Sequence, residues 1–141
     1  MTARGVLLCD TGVLLSAADT DEPQHHVCAG LIRAHRGQLA VPVPVVPETA
    51  WLLESRLGSD AEVRFLRLIT SGTVRVLDLT QDDYVRCAEL VAQYADLGLG
   101  FVDASIVTVA ENLGLAELAT LNHRDFAVVR PRHVEAFTLL P

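Results

Sequence analysis

The sequence predicts an α/β domain built on a mainly parallel central sheet, and three observations predict it. Short runs rich in Val and Leu alternate with longer segments of helical periodicity, the pattern of strand–helix–strand units. Half of the 141 residues are hydrophobic and about a fifth are charged, which suits a packed fold rather than a disordered chain. No repeat, linker or low-complexity tract interrupts the order, so residues 1–141 read as one domain. A chain of this length buries about two-thirds of its unfolded surface.

The elements follow in order. "GVLLC" is a buried-strand run, and a helix starts after Asp10. A longer helix covers "QHHVCAGLIRAHR" and ends at Gly37. "QLAVPV" is the second strand; Pro44 and Pro47 then mark the entry to a helix over "ETAWLLESRL", where a first-turn proline loses nothing by lacking an N–H. Ser59 and Glu62 have the spacing of a capping box opening "AEVRFLRLIT". "TVRVLDL" alternates as a third strand. Thr80 and Asp83 open the helix "DYVRCAELVAQYA", whose inward face is predicted as Tyr84, Cys87, Ala88, Val91 and Tyr94. Gly98 and Gly100 break the chain before "FVDASIVTVAENLG", and Gly114 closes that helix. "ELATL" and "EAFTLL" are the last strands, with "NHRDF" between them. Trp51 and Phe65 fall on apolar helical faces and are expected in the core.

Charge and composition exclude several functions. A net charge of −7 argues against coating nucleic acid by bulk electrostatics. All eleven basic residues are arginines, so a Walker P-loop, a Schiff base and a lysine-assisted aspartyl phosphate are ruled out. That removes receiver domains and haloacid-dehalogenase-type phosphatases; the latter also want an Asp where Gly12 stands. Cys9, Cys28 and Cys87 are scattered among apolar neighbours and read as buried hydrophobes, not as a disulfide or zinc framework. No apolar run approaches the roughly 20 residues of a membrane span, and Met1 is not followed by a signal-peptide pattern. The expected location is cytoplasmic.

Four acids sit at element ends. Asp10 ends the first strand, Glu48 and Asp103 lie in first turns of helices, and Asp125 follows the strand "LATL". In a parallel sheet all four project toward the carboxyl edge, where ligands gather. Each alone could be a helix cap or a partner of the helix dipole. Together they repel one another unless cations sit among them. An oxygen-only donor set suits Mg²⁺, with Mn²⁺ as the alternative.

The blocks "LLCDTGVLL", "VPVPVVPETAWLL", "LGFVDASIVTVAENLG" and "LATLNHRDF" resemble the four acidic blocks of the PIN domain, in the order and spacing of VapC ribonuclease toxins. The likeness spans almost the whole chain. It implies a PIN-like three-layer α/β/α fold, metal-dependent endoribonuclease activity, a homodimer and inhibition by a cognate VapB antitoxin. Asp10, Glu48 and Asp103 match the three principal acidic positions, and Thr11 matches the hydroxyl residue beside the first. The chain departs from the pattern at Gly12, where serine is common, and at Asn122, where many members carry aspartate. Asp125 is therefore the choice for the fourth acid, with Asn122 able to ligate or orient water through its amide.

The chemistry expected is hydrolysis of an RNA phosphodiester by water activated on a metal held by Asp10 and Asp103. Glu48 completes the ligand set or orients the water, and Asp125 supports a second metal. His25 and His26 fall early in a helix away from the acids and read as a solvated face. Arg124, Arg130 and Arg132, with His123 and His133, are candidates for phosphate contacts. A groove on the helices "ETAWLLESRL" and "AEVRFLRLIT" is expected to take an amphipathic antitoxin helix. Two alternatives remain open: a PIN-fold RNA- or protein-binding module that does not cut, and a DNA-directed metal nuclease. Transfer, ribosomal and messenger RNA all suit the scaffold as targets.

Overall fold

Residues 5–141 are described by this computed structural model. The apolar runs become five short strands: β1 (Leu7–Cys9), β2 (Leu39–Pro42), β3 (Val74–Leu77), β4 (Glu117–Ala119) and β5 (Thr138–Leu140). They form one sheet in the order β3-β2-β1-β4-β5, and every pairing is parallel. Leu8 of β1 lies opposite Ala40 on one side and Leu118 on the other. These central strands are buried on both faces, which is why they read as continuous apolar runs instead of alternating ones.

Helices α1 (Thr11–Ala18), α2 (His25–Ala34), α3 (Val45–Leu57) and α4 (Ser59–Thr70) connect β1 to β2 to β3. Helices α5 (Gln81–Gln93) and α6 (Phe101–Leu113) carry the chain back to β4, and α7 (His123–Val128) leads to β5. Right-handed crossovers put α1–α4 on one face and α5–α6 on the other. The helix contacts divide the same way: α1 packs with α2 and α3, α3 with α4, and α5 with α6. The result is the three-layer α/β/α arrangement that the resemblance implies. Strand order reverses at β1, so the carboxyl ends of β1 and β4 flank a topological switch point.

Helix α6 is buried without a break from Ala104 to Ala110. Its two buried hydroxyls satisfy themselves on its own backbone: Ser105 Oγ donates to Val102 O (2.6 Å) and Thr108 Oγ1 to Ala104 O (2.8 Å). The Thr80–Asp83 capping box forms at the start of α5, with both of its hydrogen bonds in place. All three cysteines are buried and unbridged, and burial pushes the Cys9 thiol up to about 12.

Several expectations are corrected. The Ser59 capping box does not form: Gly58, at φ +91°, is the N-cap of α4, and no side chain caps it. Helices α3 and α4 are separated by that glycine alone, so Ser59 is already helical. Helix α3 starts at Val45, with Pro44 as N-cap and Pro47 inside the first turn. The inward face of α5 is Asp83, Cys87, Leu90 and Tyr94, whereas Tyr84, Ala88 and Val91 face outward. A buried polar cap at Asp83 set the phase of that helix. Phe65 is in the core, but Trp51 is exposed.

Candidate active site

Asp10 reaches the switch point because β1 ends at Cys9 and α1 begins at Thr11. Its backbone N–H still donates to Ala119 O of β4 (3.0 Å), so the carboxylate is pinned between the two central strands. The side chain N-caps α1, with Oδ1 accepting from Val13 N–H at 3.3 Å. Oδ2 accepts a short hydrogen bond from the hydroxyl of Thr120, a buried residue just past β4. Asp10 thus caps α1 and also lines the cleft.

Glu48 enters from the first turn of α3 and Asp103 from the first turn of α6. With Asp10, Thr11, Gly12, Leu121 and Asn122 they line one cleft of about 290 Å³. Thr49 Oγ1, behind it, donates to Thr11 Oγ1 at 3.4 Å. Three acids from three separate parts of the chain meet beyond the carboxyl ends of the strands at the switch point, where open α/β sheets bind ligands.

The electrostatics are those of uncompensated negative charge. Burial, then the nearby charges of Asp10, Glu48 and Asp125, push the Asp103 carboxyl up to about 6. Burial also raises Asp10, opposed by the hydrogen bonds from Thr120 and the backbone. Among the described residues, no arginine pairs with Asp10, Glu48 or Asp103; the ion pairs go to Glu22, Glu89, Glu111 and, near the cleft, Asp125. No three His, Cys, Asp or Glu side chains among those residues close into a ready-made metal cage. The cleft is instead an open acidic cup with oxygen donors only, which fits a hard divalent cation that keeps much of its water shell.

Of the two candidates for the fourth position, Asn122 lines the cleft and Asp125 does not. The Asn122 side-chain amide donates from Nδ2 to Asp125 Oδ2 (3.0 Å), and its Oδ1 accepts from Asp125 N–H (3.3 Å). Asp125 Oδ1 accepts from Arg124 Nε at 3.0 Å. The hydrogen bond from Asn122, aided by Arg124, holds the Asp125 carboxyl below its ordinary range.

The remaining candidates are dispersed. Arg124 stays beside the acids with its side chain 81% exposed. Arg130 turns back onto the carbonyls of Ala127 and Val129 at the end of α7. Arg132 pairs with Glu89 and donates its backbone N–H to Glu111. Glu111 is eight residues beyond Asp103 on α6, about 12 Å along the axis. Arg132 is therefore not brought to the acids, contrary to the expectation from sequence proximity. His133 binds Leu115 O, and His123 binds Thr120 O behind the cleft. His25 sits on Ser16 O, away from the acids.

Sequence reasoning missed Thr120. The available signal was a lone hydroxyl directly after the apolar run "ELA", at the same sheet edge as Asp10.

A parallel five-stranded sheet with acids gathered at its switch point defines a class, the PIN-type α/β/α fold. The PIN domain model matches residues 7–130, and the chain belongs to the PIN domain family. It is 30% identical over 135 residues to Ribonuclease VapC26 of Mycobacterium tuberculosis, covering 96% of this chain and all of that protein. The crystal structure of Mycobacterium tuberculosis VapC20, a sarcin–ricin loop cleaving toxin, superposes with a TM-score of 0.80. That match covers 91% of this chain and 98% of the other at 22% identity. VapBC2 from Rickettsia felis, bound to a DNA fragment from its promoter, matches with a TM-score of 0.66 at 16% identity, covering 96% and 99%.

Proposed function

We propose that this chain is a metal-dependent endoribonuclease toxin, held inactive by a VapB-type antitoxin. The observation that carries the reading is the convergence of Asp10, Glu48 and Asp103 in one cleft with their charge uncompensated. The 30% identity to a ribonuclease over nearly the whole chain supports RNA as the substrate.

Asp10 and Asp103 would hold the cation, Mg²⁺ first and Mn²⁺ second, with Glu48 beside them. When bound, that cation lowers the pKa of a water and offsets charge building on the phosphate. Thr120 and the Val13 N–H hold the Asp10 carboxylate in one rotamer. Asn122 lines the cleft with its amide held by Asp125 through both oxygen and nitrogen, which leaves one N–H and one lone pair for a water or phosphate oxygen. Arg124 is placed to contact a substrate phosphate at the rim. Purified protein incubated with total RNA should cut it in Mg²⁺ or Mn²⁺ and stop in EDTA, leaving 5′-phosphate and 3′-hydroxyl ends. Cleavage that persists in EDTA, or 2′,3′-cyclic ends, sinks the mechanism; a DNA substrate in parallel tests the sugar preference.

For the antitoxin, an apolar groove of about 550 Å³ runs between α1, α2, α3 and α4. Leu14, Ile32, Leu53, Phe65 and Leu68 line it, with Arg33, Arg64 and Arg67 at its rim. The expected groove thus extends beyond α3 and α4 to α1 and α2. An amphipathic helix with acidic flanks suits it. A basic antitoxin side chain reaching on to the acids would displace metal. Co-expression with the antitoxin should suppress toxicity and give a stable complex. A homodimer is supported by the outward apolar stripe of α5, where Tyr84 stacks on Phe101 (5.7 Å) beside exposed Val85 and Val91. Val85→Arg should shift the sedimentation coefficient to that of a monomer.

A further inference from the structure

The chain has one tryptophan, and it is 66% exposed. Trp51 lies on α3, whose buried face is Thr49, Ala50 and Leu53. That phase turns Trp51 outward, three residues and one helical turn after Glu48, whose carboxylate lines the acidic cleft. Residues at i and i+3 of a helix share a face, with Cβ atoms about 5–6 Å apart. The exposed indole thus lies one helical turn along α3 from Glu48, an acid that lines the cleft.

The surroundings separate this position from a protein-docking patch. The exposed residues flanking Trp51 on α3 are Pro47, Glu48, Glu54 and Ser55, three of them polar. Interfaces between proteins instead present contiguous apolar surface, as the groove between α1 and α4 and the outward stripe of α5 do here. A single large π-face in a polar setting beside phosphodiester chemistry matches the way single-stranded RNA is gripped. Splayed bases stack on aromatic side chains while the backbone is held nearby.

We propose that Trp51 is a stacking platform for an RNA base adjoining the scissile phosphate, so that it binds substrate rather than contacting the reacting atoms. The proposal rests on the endoribonuclease reading. It also accounts for retention of substrate by a protein of net charge −7, since stacking is insensitive to that charge.

Because Trp51 is the only indole, its fluorescence reports the contact directly. Asp10→Asn protein, in which cleavage should be slow on the timescale of a titration, is titrated in Mg²⁺ with a short single-stranded RNA of mixed sequence and with an abasic RNA of equal length. The normal RNA should quench or shift the emission to saturation; the abasic one should not. In steady-state cleavage, Trp51→Ala should raise KM roughly 5- to 100-fold with kcat little changed, as loss of one stacked base predicts. Trp51→Phe should recover most of the loss. Unaltered fluorescence at saturating RNA, or a wild-type KM in Trp51→Ala, overturns the proposal. So does a Trp51→Ala variant that cuts normally but loses its dimer or its antitoxin, which would make the position a protein contact. If the wild-type protein cuts no RNA, the endoribonuclease reading fails, and the titration still decides whether Trp51 stacks on bases.

Discussion

The two ends of α6 use the same residue types to opposite effect. At its N-terminus, Asp103 shares a cleft with Asp10 and Glu48, and burial together with the neighbouring carboxylates raises its carboxyl to about 6. Toward its C-terminus, Glu111 accepts two hydrogen bonds from Arg86, both at 2.8 Å, and a third from the Arg132 backbone. Asn112, its neighbour, donates to Asp83 at 2.7 Å. Burial acts on Glu111 and Asp83 too, but there the hydrogen bonds outweigh it and both carboxyls sit below their ordinary values. Glu111 and Asp83 are held by donors the fold supplies. Asp103 is instead raised by burial and by the carboxylates around it, the setting that suits a bound cation.

The largest test of that contrast is Asp10→Asn. Asn still accepts from Val13 N–H and caps α1 almost as well, so the fold should survive or gain stability as repulsion falls. Cleavage of RNA should drop by about 100-fold or more, because charge stabilisation and water activation are lost together. A fully active Asp10→Asn enzyme would defeat the site assignment.

Arg86→Ala should do the reverse. It strands the nearly buried Glu111 carboxylate without its bidentate partner, a change expected to cost about 3 kcal/mol of stability. Chemical denaturation should show the loss, while the folded fraction keeps wild-type kcat. A large kcat defect at full stability would mean that the far end of α6 takes part in the chemistry.

Titration sharpens the comparison further. Between about pH 4 and 6 the folded, metal-free protein holds a proton on Asp103 that the unfolded chain has released. Stability contributed at this end therefore falls as pH rises through that window. Glu111 and Asp83 contribute in the opposite sense: their stabilisation is present above the unfolded pKa and is lost as pH falls through the folded one. In EDTA, the Tm of wild type relative to Asp103→Asn should decline from pH 4 to 7. Added Mg²⁺ should restore it at pH 7 in wild type but not in Asp10→Asn. Parallel pH curves for wild type and Asp103→Asn would show that the cleft acids are not crowded.

The fold was legible because its strands are short, apolar and punctuated, and because parallel topology follows once helices separate them. The acids at Asp10, Glu48 and Asp103 were legible for the same reason, since a strand end or a helix first turn places a residue by topology alone. The inward phase of α5 was not. Asp83 is buried as half of a capping box, and counting apolar residues there selected the wrong stripe. Trp51 misled in the same way: hydrophobicity marks what can be buried, and only packing decides what is. Arg132 lies seven residues from Asp125 in sequence, yet the turn after α7 carries it to Glu111. Linear proximity carries little information across a loop.

The smallest predicted effect concerns Asp125, which sits between the two behaviours. It shares its region with the crowded acids and adds to the rise of Asp103, yet it is supplied with donors by Asn122 and Arg124. If it acts by holding the Asn122 amide toward the cleft, Asp125→Asn should cost only a few-fold in kcat/KM. The new side-chain oxygen can still accept from Asn122 Nδ2, and the exposed Arg124 can swing away from the new amide. Asp125→Ala should cost more, about as much as Asn122→Ala, and the double variant should be little worse than either, the signature of residues acting through one another. Additive losses in that cycle, or an Asp125→Asn defect as deep as that of Asp10→Asn, would place Asp125 on the metal itself. The same cycle measured by Mg²⁺-induced stabilisation separates the two cases without reference to turnover, since a positioning residue leaves cation affinity nearly intact while a ligand does not.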